Sequence, residues 1–94
     1  MEEKVRRTDE EVADAILRSF ERRAEAGDTQ LYGPSYHQLT AFQIYVYLKR
    51  RRDGEKFELD RQTESVLYAV ASVASMRRIA WHRNMDPVEM LERT

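Results

Sequence analysis

From Thr29 to Leu48 the chain carries no Asp, Glu, Lys or Arg, although 35% of its 94 residues are charged. Five of its nine aromatic residues lie inside this stretch: Tyr32, Tyr36, Phe42, Tyr45 and Tyr47. It ends abruptly at Lys49-Arg50-Arg51-Arg52-Asp53-Gly54. So much apolar and aromatic area has two stable fates: it is folded inward as core, or it forms a surface that meets another molecule. We take the first as the expectation, with the stretch as the buried spine of the fold.

A chain of this length fits one domain that hides roughly 60–68% of its unfolded surface, so stability is marginal and self-association that covers more apolar area is favoured. With 41% hydrophobic residues, three Gly and two Pro, the composition is globular. The absence of cysteine excludes disulfides, thiolate catalysis and thiolate zinc sites and makes the cytoplasm the natural setting. Residues 1–7, expected to be a flexible N-terminus, lack the apolar core of a signal peptide. The charge-free stretch is itself too polar for a membrane span, with Gln30, Gly33, Pro34, His37, Gln38 and Gln43 inside it, so no membrane is expected as a partner. Charge is unevenly placed. Residues 1–28 hold six basic and nine acidic side chains, residues 29–53 hold four and one, and residues 54–94 hold six and seven.

Thr8 followed by Glu11 is a capping-box pattern, and Val12, Ala13, Ile16, Leu17, Phe20 and Ala24 then gather on one side of a helical wheel. Gly27 suits the left-handed residue after a helix. The first helix is therefore expected at about 9–26. Gly33-Pro34 marks a loop, and Ser35 with Gln38 offers a second capping box.

Two readings compete over the following segment. A helix at 36–52 starts on that cap, ends in four cations that suit the negative end of its dipole, and stops at Gly54. It would be apolar nearly all round and so would be the central, buried helix. Alternatively, Phe42, Ile44, Val46 and Leu48 alternate with Gln43, Tyr45, Tyr47 and Lys49, and Asp53-Gly54 could close a β-hairpin at about 41–60. The first reading makes the fold all-α, and the second makes it α+β.

Asp60 is an N-cap candidate for a third helix at about 61–83. Val66, Leu67, Val70, Val73, Ala74, Met76, Ala80 and Trp81 fall on its broad apolar side, with Glu64, Ser75 and His82 opposite. Tyr68 and Ile79, with Ser72 and Ser75 between them, form a second strip that a single core does not need. Asp86-Pro87 with Glu89 starts a short helix at about 87–93, carrying Val88 and Leu91. The architecture expected is a compact bundle of three main helices plus this short one.

No pattern calls for a metal or a cofactor. His37 and His82 are the only histidines and have no cysteine to join them. Acid pairs at helical spacing occur at Glu11/Asp14, Glu55/Glu58 and Glu89/Glu92, and such pairs can share a Mg²⁺ ion. This arrangement resembles the all-helical nucleotide pyrophosphohydrolases related to MazG, which use ExxE followed by ExxD on neighbouring helices. The resemblance implies a Mg²⁺-dependent activity on nucleoside triphosphates. Here the pairs come in a different order, and the long helix offers only Glu64, so no catalytic residue is carried over.

Two basic groups remain. Tyr45, Tyr47, Lys49, Arg50, Arg51 and Arg52 would contact a partner or a polyanion; on a hairpin, Tyr45, Tyr47, Lys49 and Arg51 would share one face as a stacking platform for bases. Arg77, Arg78 and Arg83 form a second basic patch around Trp81. The leading expectation is a small non-enzymatic protein that self-associates as a dimer or higher oligomer. Its contacts would come from Tyr68, Ser72, Ile79, Trp81, Val88 and Leu91, since tyrosine, tryptophan and arginine dominate interface energetics. Binding of nucleic acid or a nucleotide is the alternative.

Overall fold

The computed structural model describes residues 6–93. Seven elements follow along the chain: α1 (Asp9–Glu25), β1 (Leu31–Tyr32), β2 (Leu39–Thr40), α2 (Ala41–Arg52), α3 (Arg61–Ala71), α4 (Val73–His82) and α5 (Pro87–Glu92). The fold is the all-α bundle, three main helices with the third in two segments, plus the short C-terminal helix and a small antiparallel hairpin. Of the expected flexible N-terminus, residues 1–5 lie outside the described residues, whereas Arg7 is firmly tied down.

The first capping box forms as expected. The Glu11 N–H donates to Thr8 Oγ1 at 3.1 Å, and the Thr8 N–H donates to the Glu11 carboxylate at 3.0 Å. Asp9, Glu10 and Glu11 in the first turn and Arg22 and Arg23 in the last complement the helix dipole. The buried stripe is Val12, Ala15, Ile16, Ser19 and Phe20. This is rotated from the expected one, and Ala13 is exposed. Neighbours on several sides cause the rotation: α2, α4 and α5 all pack on α1, and close packing admits Ala15 and Ser19 where apolarity alone would choose Leu17.

The helix expected at 36–52 begins five residues later. Leu31 pairs with Thr40 and Tyr32 with Leu39 in the hairpin, and this pairing carries Leu39 into the core. Thr40 replaces Ser35 as the cap: the Gln43 N–H donates to Thr40 Oγ1 at 3.2 Å and Gln43 Oε1 accepts from the Thr40 N–H at 2.9 Å. The hairpin alternative at 41–60 is not formed, because 41–52 is helical and the residues from Glu55 to Asp60 have no regular structure.

Nor is α2 the buried spine. Only Ala41 and Ile44 are buried along it, Phe42 is 62% exposed, and Tyr45 and Tyr47 are half-buried. Its principal contacts are with α1 and β2, so burial is complete on one side and partial elsewhere. The central helix is α1.

The third helix breaks at Ser72, which is extended at φ −89°, ψ 150°. Ser72 Oγ accepts from the Ser75 N–H at 3.0 Å and starts α4 as its N-cap. Ser75, placed on the polar side by the wheel, is buried, and its Oγ donates to the Tyr68 carbonyl at 2.9 Å, which satisfies an acceptor freed by the break. An unbroken helix of this span would run about 34 Å in a straight line. Broken, it lets α4 pack on both α1 and α5.

The ends of the chain meet at Asp86. Its carboxylate accepts from the Val88 N–H at 3.3 Å as the cap of α5 and receives Arg7 through Nε at 3.0 Å and Nη2 at 2.8 Å. Arg77 donates to the Arg7 carbonyl at 2.7 Å and to Asp9 at 2.8 Å. Val88, Met90 and Leu91 then close the core.

The hairpin loop is fastened to α3 by His37 Nε2 and Thr63 Oγ1 at 2.8 Å, with Thr63 Oγ1 donating onward to Asp60 at 3.0 Å. Gly33, at φ +113°, has no room for a side chain there: a Cβ would lie 2.7 Å from the His37 carbonyl oxygen and 3.0 Å from a Val66 methyl. Gly33→Ala is therefore expected to lower stability by about 2–3 kcal/mol, through crowding and backbone strain together. A shifted urea midpoint checks this.

Arg7 holds the Asp86 carboxyl below its ordinary range, and backbone N–H groups do the same for Glu11, Asp28 and Asp60. Folded-state values that are lowered contribute stability above the unfolded-state pKa, and this stability is lost as pH falls. Melting temperature should hold from neutral pH to about pH 5 and drop below about pH 4, where unfolded carboxylates take up protons. Asp86→Asn should melt lower at pH 7 and lose less on acidification; an unchanged pH profile would remove Asp86 from this account.

Candidate functional site

The cations at the end of α2 do not form one open patch. Lys49 Nζ pairs with Asp53 at 2.9 Å, Arg50 with Glu55 at 2.7 Å, and Arg52 crosses to Asp14 on α1. Hydrogen bonding to Asp53 raises the Lys49 pKa, and the Arg50 guanidinium lowers that of Glu55. Arg50 also lies over the Phe57 ring at 4.2 Å, and Phe57 stacks on Tyr47 at 6.2 Å. Tyr45 turns away and donates to Glu21 on α1 at 3.0 Å, a bond that raises its pKa. A helix at this point thus separates the side chains that a hairpin would have aligned, and the stacking platform of Tyr45, Tyr47, Lys49 and Arg51 is not formed.

Arg51 differs from its neighbours. Among the described residues it has no carboxylate partner, and it lines a groove between α2 and α3 of about 440 Å³. Leu48, Leu67 and Ala71 supply its apolar wall, and Arg61, Glu64, Ser65, Tyr68 and Ser72 complete it. The groove exists because α2 leans on α1, so α3 stands apart from it. Tyr68 is 58% exposed along it. Arg61 and Glu64 are exposed and, like Arg51, form no ion pair among the described residues. A second hollow of about 270 Å³ shares Leu48, Arg51 and Ala71 and extends the groove along α1 past Leu17 to Val73.

The structure thus joins parts of two separately expected sites, the basic run through Arg51 and the apolar strip through Tyr68 and Ser72. It divides the rest. Val88 and Leu91, expected at a subunit contact, are 7% and 3% exposed inside the chain's own core and cannot serve one. Ile79 is half-buried at the edge of that core. Trp81, placed on the core side by the wheel, is 73% exposed and lines a separate hollow of about 500 Å³ with Arg7, Arg77 and Asp86. In the second basic patch, Arg77 is held by Arg7 and Asp9, while Arg78 and Arg83 are exposed without an ion pair among the described residues. Leu31, Tyr36 and Phe42 form further exposed apolar area around the hairpin.

The acid pairs are dispersed. Glu11 is used by its cap, Asp14 by Arg52, Glu55 by Arg50 and Glu89 by Arg93. Among the described residues no group of three or more histidine or carboxylate side chains could hold a metal ion, and no helix is long and apolar enough to cross a membrane. The residues missed from sequence are Arg61 and Leu48 in the groove. Leu48 and Arg51 are three apart on α2, so a helical wheel drawn for residues 41–52 would have placed them on one face.

No family model matches the chain, and neither a curated protein nor a solved structure matches it significantly.

Proposed function

We propose that this protein is a small non-enzymatic interaction module of the cytoplasm that self-associates through the groove between α2 and α3. The observation that carries the reading is Tyr68, largely exposed over an apolar wall beside three charges that form no ion pair among the described residues. An exposed tyrosine next to arginines is the composition of an interface hot spot. The rim holds both signs of charge, Arg51 and Arg61 with Glu64, so a second copy can offer each its opposite across an isologous contact. With Lys49, Arg50 and Arg52 neutralised, Arg51 is the member of the basic run whose charge is still available, and it lies in the groove. The cysteine-free composition fits a reducing compartment.

Sedimentation of the wild-type chain is expected to show concentration-dependent association in the micromolar range. Tyr68→Glu combined with Arg61→Glu should give a monomer with unchanged helical circular dichroism. Glutamate at the first position of α3 suits the dipole, so loss of association would not reflect loss of fold. A wild-type chain that stays monomeric throughout removes the reading.

A nucleic-acid role is the second reading, supported by Arg51, Arg61, Arg78 and Arg83, which are exposed and form no ion pair among the described residues. Single-stranded DNA binding at low salt should then fall steeply with salt and vanish in an Arg51→Glu, Arg61→Glu, Arg83→Glu variant. We expect instead that the wild type and this variant elute together from a single-stranded DNA column.

A further inference from the structure

Lined by none of the paired cations at the end of α2, a cleft lies in the elbow made by the break at Ser72. Ala69 and Val70 of α3 form one wall and Met76 and Ile79 of α4 the other, while Phe20, Tyr32 and Met90 contribute from three further elements. Its volume is about 250 Å³. At roughly 30 Å³ for a group the size of water, a methylene being of similar bulk, this is room for about eight such groups.

Both charged side chains that line this cleft are arginines, Arg23 and Arg83. Arg23 is fixed by its face: its guanidinium lies 4.7 Å from the centre of the Phe20 ring and 5.7 Å from that of Tyr32, and those two rings pack edge to face at 5.5 Å. Stacking engages the guanidinium face and leaves its edge available, and among the described residues the one side-chain hydrogen bond it donates is a long one, 3.4 Å, to the Tyr32 hydroxyl. The nearby Asp28 carboxylate is occupied, accepting from the Gln30 N–H at 2.8 Å and the Tyr32 hydroxyl at 2.9 Å. Arg83, at the end of α4, is exposed and has no ion pair among the described residues.

An apolar, aromatic and methionine-lined cleft with two cations and no lining carboxylate is complementary to a molecule that is apolar at one end and anionic at the other. Methionine adapts to flexible hydrocarbon, and arginine receives a carboxylate in bidentate fashion. We propose that this cleft binds a small amphiphilic monocarboxylate, with its hydrocarbon against Phe20, Met76 and Met90 and its head between Arg23 and Arg83. The site is separate from the groove between α2 and α3 and stands whether or not the chain associates.

Octanoate titrated into protein labelled at its methionine methyls is the test. Met76 and Met90 line the cleft, and Met85 lies outside it as an internal reference. The expected result is saturable shifts at Met76 and Met90 with little change at Met85. Octan-1-ol should bind at least about tenfold more weakly, as should octanoate to Arg83→Gln, because each change removes a charge-assisted contact. Arg83 is exposed, so that variant should keep the fold, and an unchanged melting temperature verifies it. The proposal is overturned if Met76 and Met90 do not saturate by about 10 mM octanoate, which is too weak for a specific site of this size. It is equally overturned if octan-1-ol binds as tightly as octanoate, if Arg83→Gln leaves affinity unchanged, or if Met85 shifts as much as the cleft methionines.

Discussion

The structure depends on the apolar side of α1, where Val12, Ile16 and Phe20 are all but fully buried. Three other helices need that surface at once, and α2, α4 and α5 each pack on it. A helix has one apolar stripe of limited width, so elements that share it must be short or bent. This accounts for the six residues of α5, the twelve of α2 and the break at Ser72 in what would otherwise be one long helix. The closing contacts are polar: Arg7 to Asp86, Arg77 to the Arg7 carbonyl, and Arg22 to the Leu91 carbonyl bring the two ends of the chain together over α1.

Both candidate sites arise from the same competition. Because α2 is drawn to α1, it leaves α3, and the groove with Arg51, Arg61, Glu64 and Tyr68 opens between them. Because α4 is drawn to α1 and α5, it leaves the line of α3, and the cleft with Arg23 and Arg83 opens in the elbow. Each hollow has an apolar wall that helix packing could not cover and arginines that form no ion pair among the described residues. Burying such walls in a partner or a ligand is favourable in proportion to their area. The paired cations Lys49, Arg50 and Arg52 stabilise the end of α2 and the coil after it.

Much of this architecture is legible in the sequence wherever the signal is local. Capping boxes act over three residues, so Thr8 with Glu11, Asp60, and Asp86 with Pro87 mark their helices correctly. The four cations before Gly54 likewise mark the end of α2. The errors fall where local signals tie. Ser35 and Thr40 are both good caps, each with a glutamine three residues on, and only the pairing of Leu39 with Tyr32 chooses between them. Ser72 in an alanine-rich helix reads as a small surface residue, and nothing nearby declares it a cap.

By itself the sequence determines that the first, third and last helices exist and where most of their ends lie, because caps, dipole charges and glycine conformations are properties of a few neighbouring residues. It also determines that Arg51 and Tyr68 are available types for recognition. Tertiary structure alone decides which aromatics lie inside. The charge-free stretch places Tyr36 and Phe42 in solvent and none of its five aromatics fully in the core, while Val88 and Leu91 near the far end are buried. Burial is settled by which helices compete for the face of α1, a contest between residues some seventy positions apart. No periodicity within one segment can express its outcome.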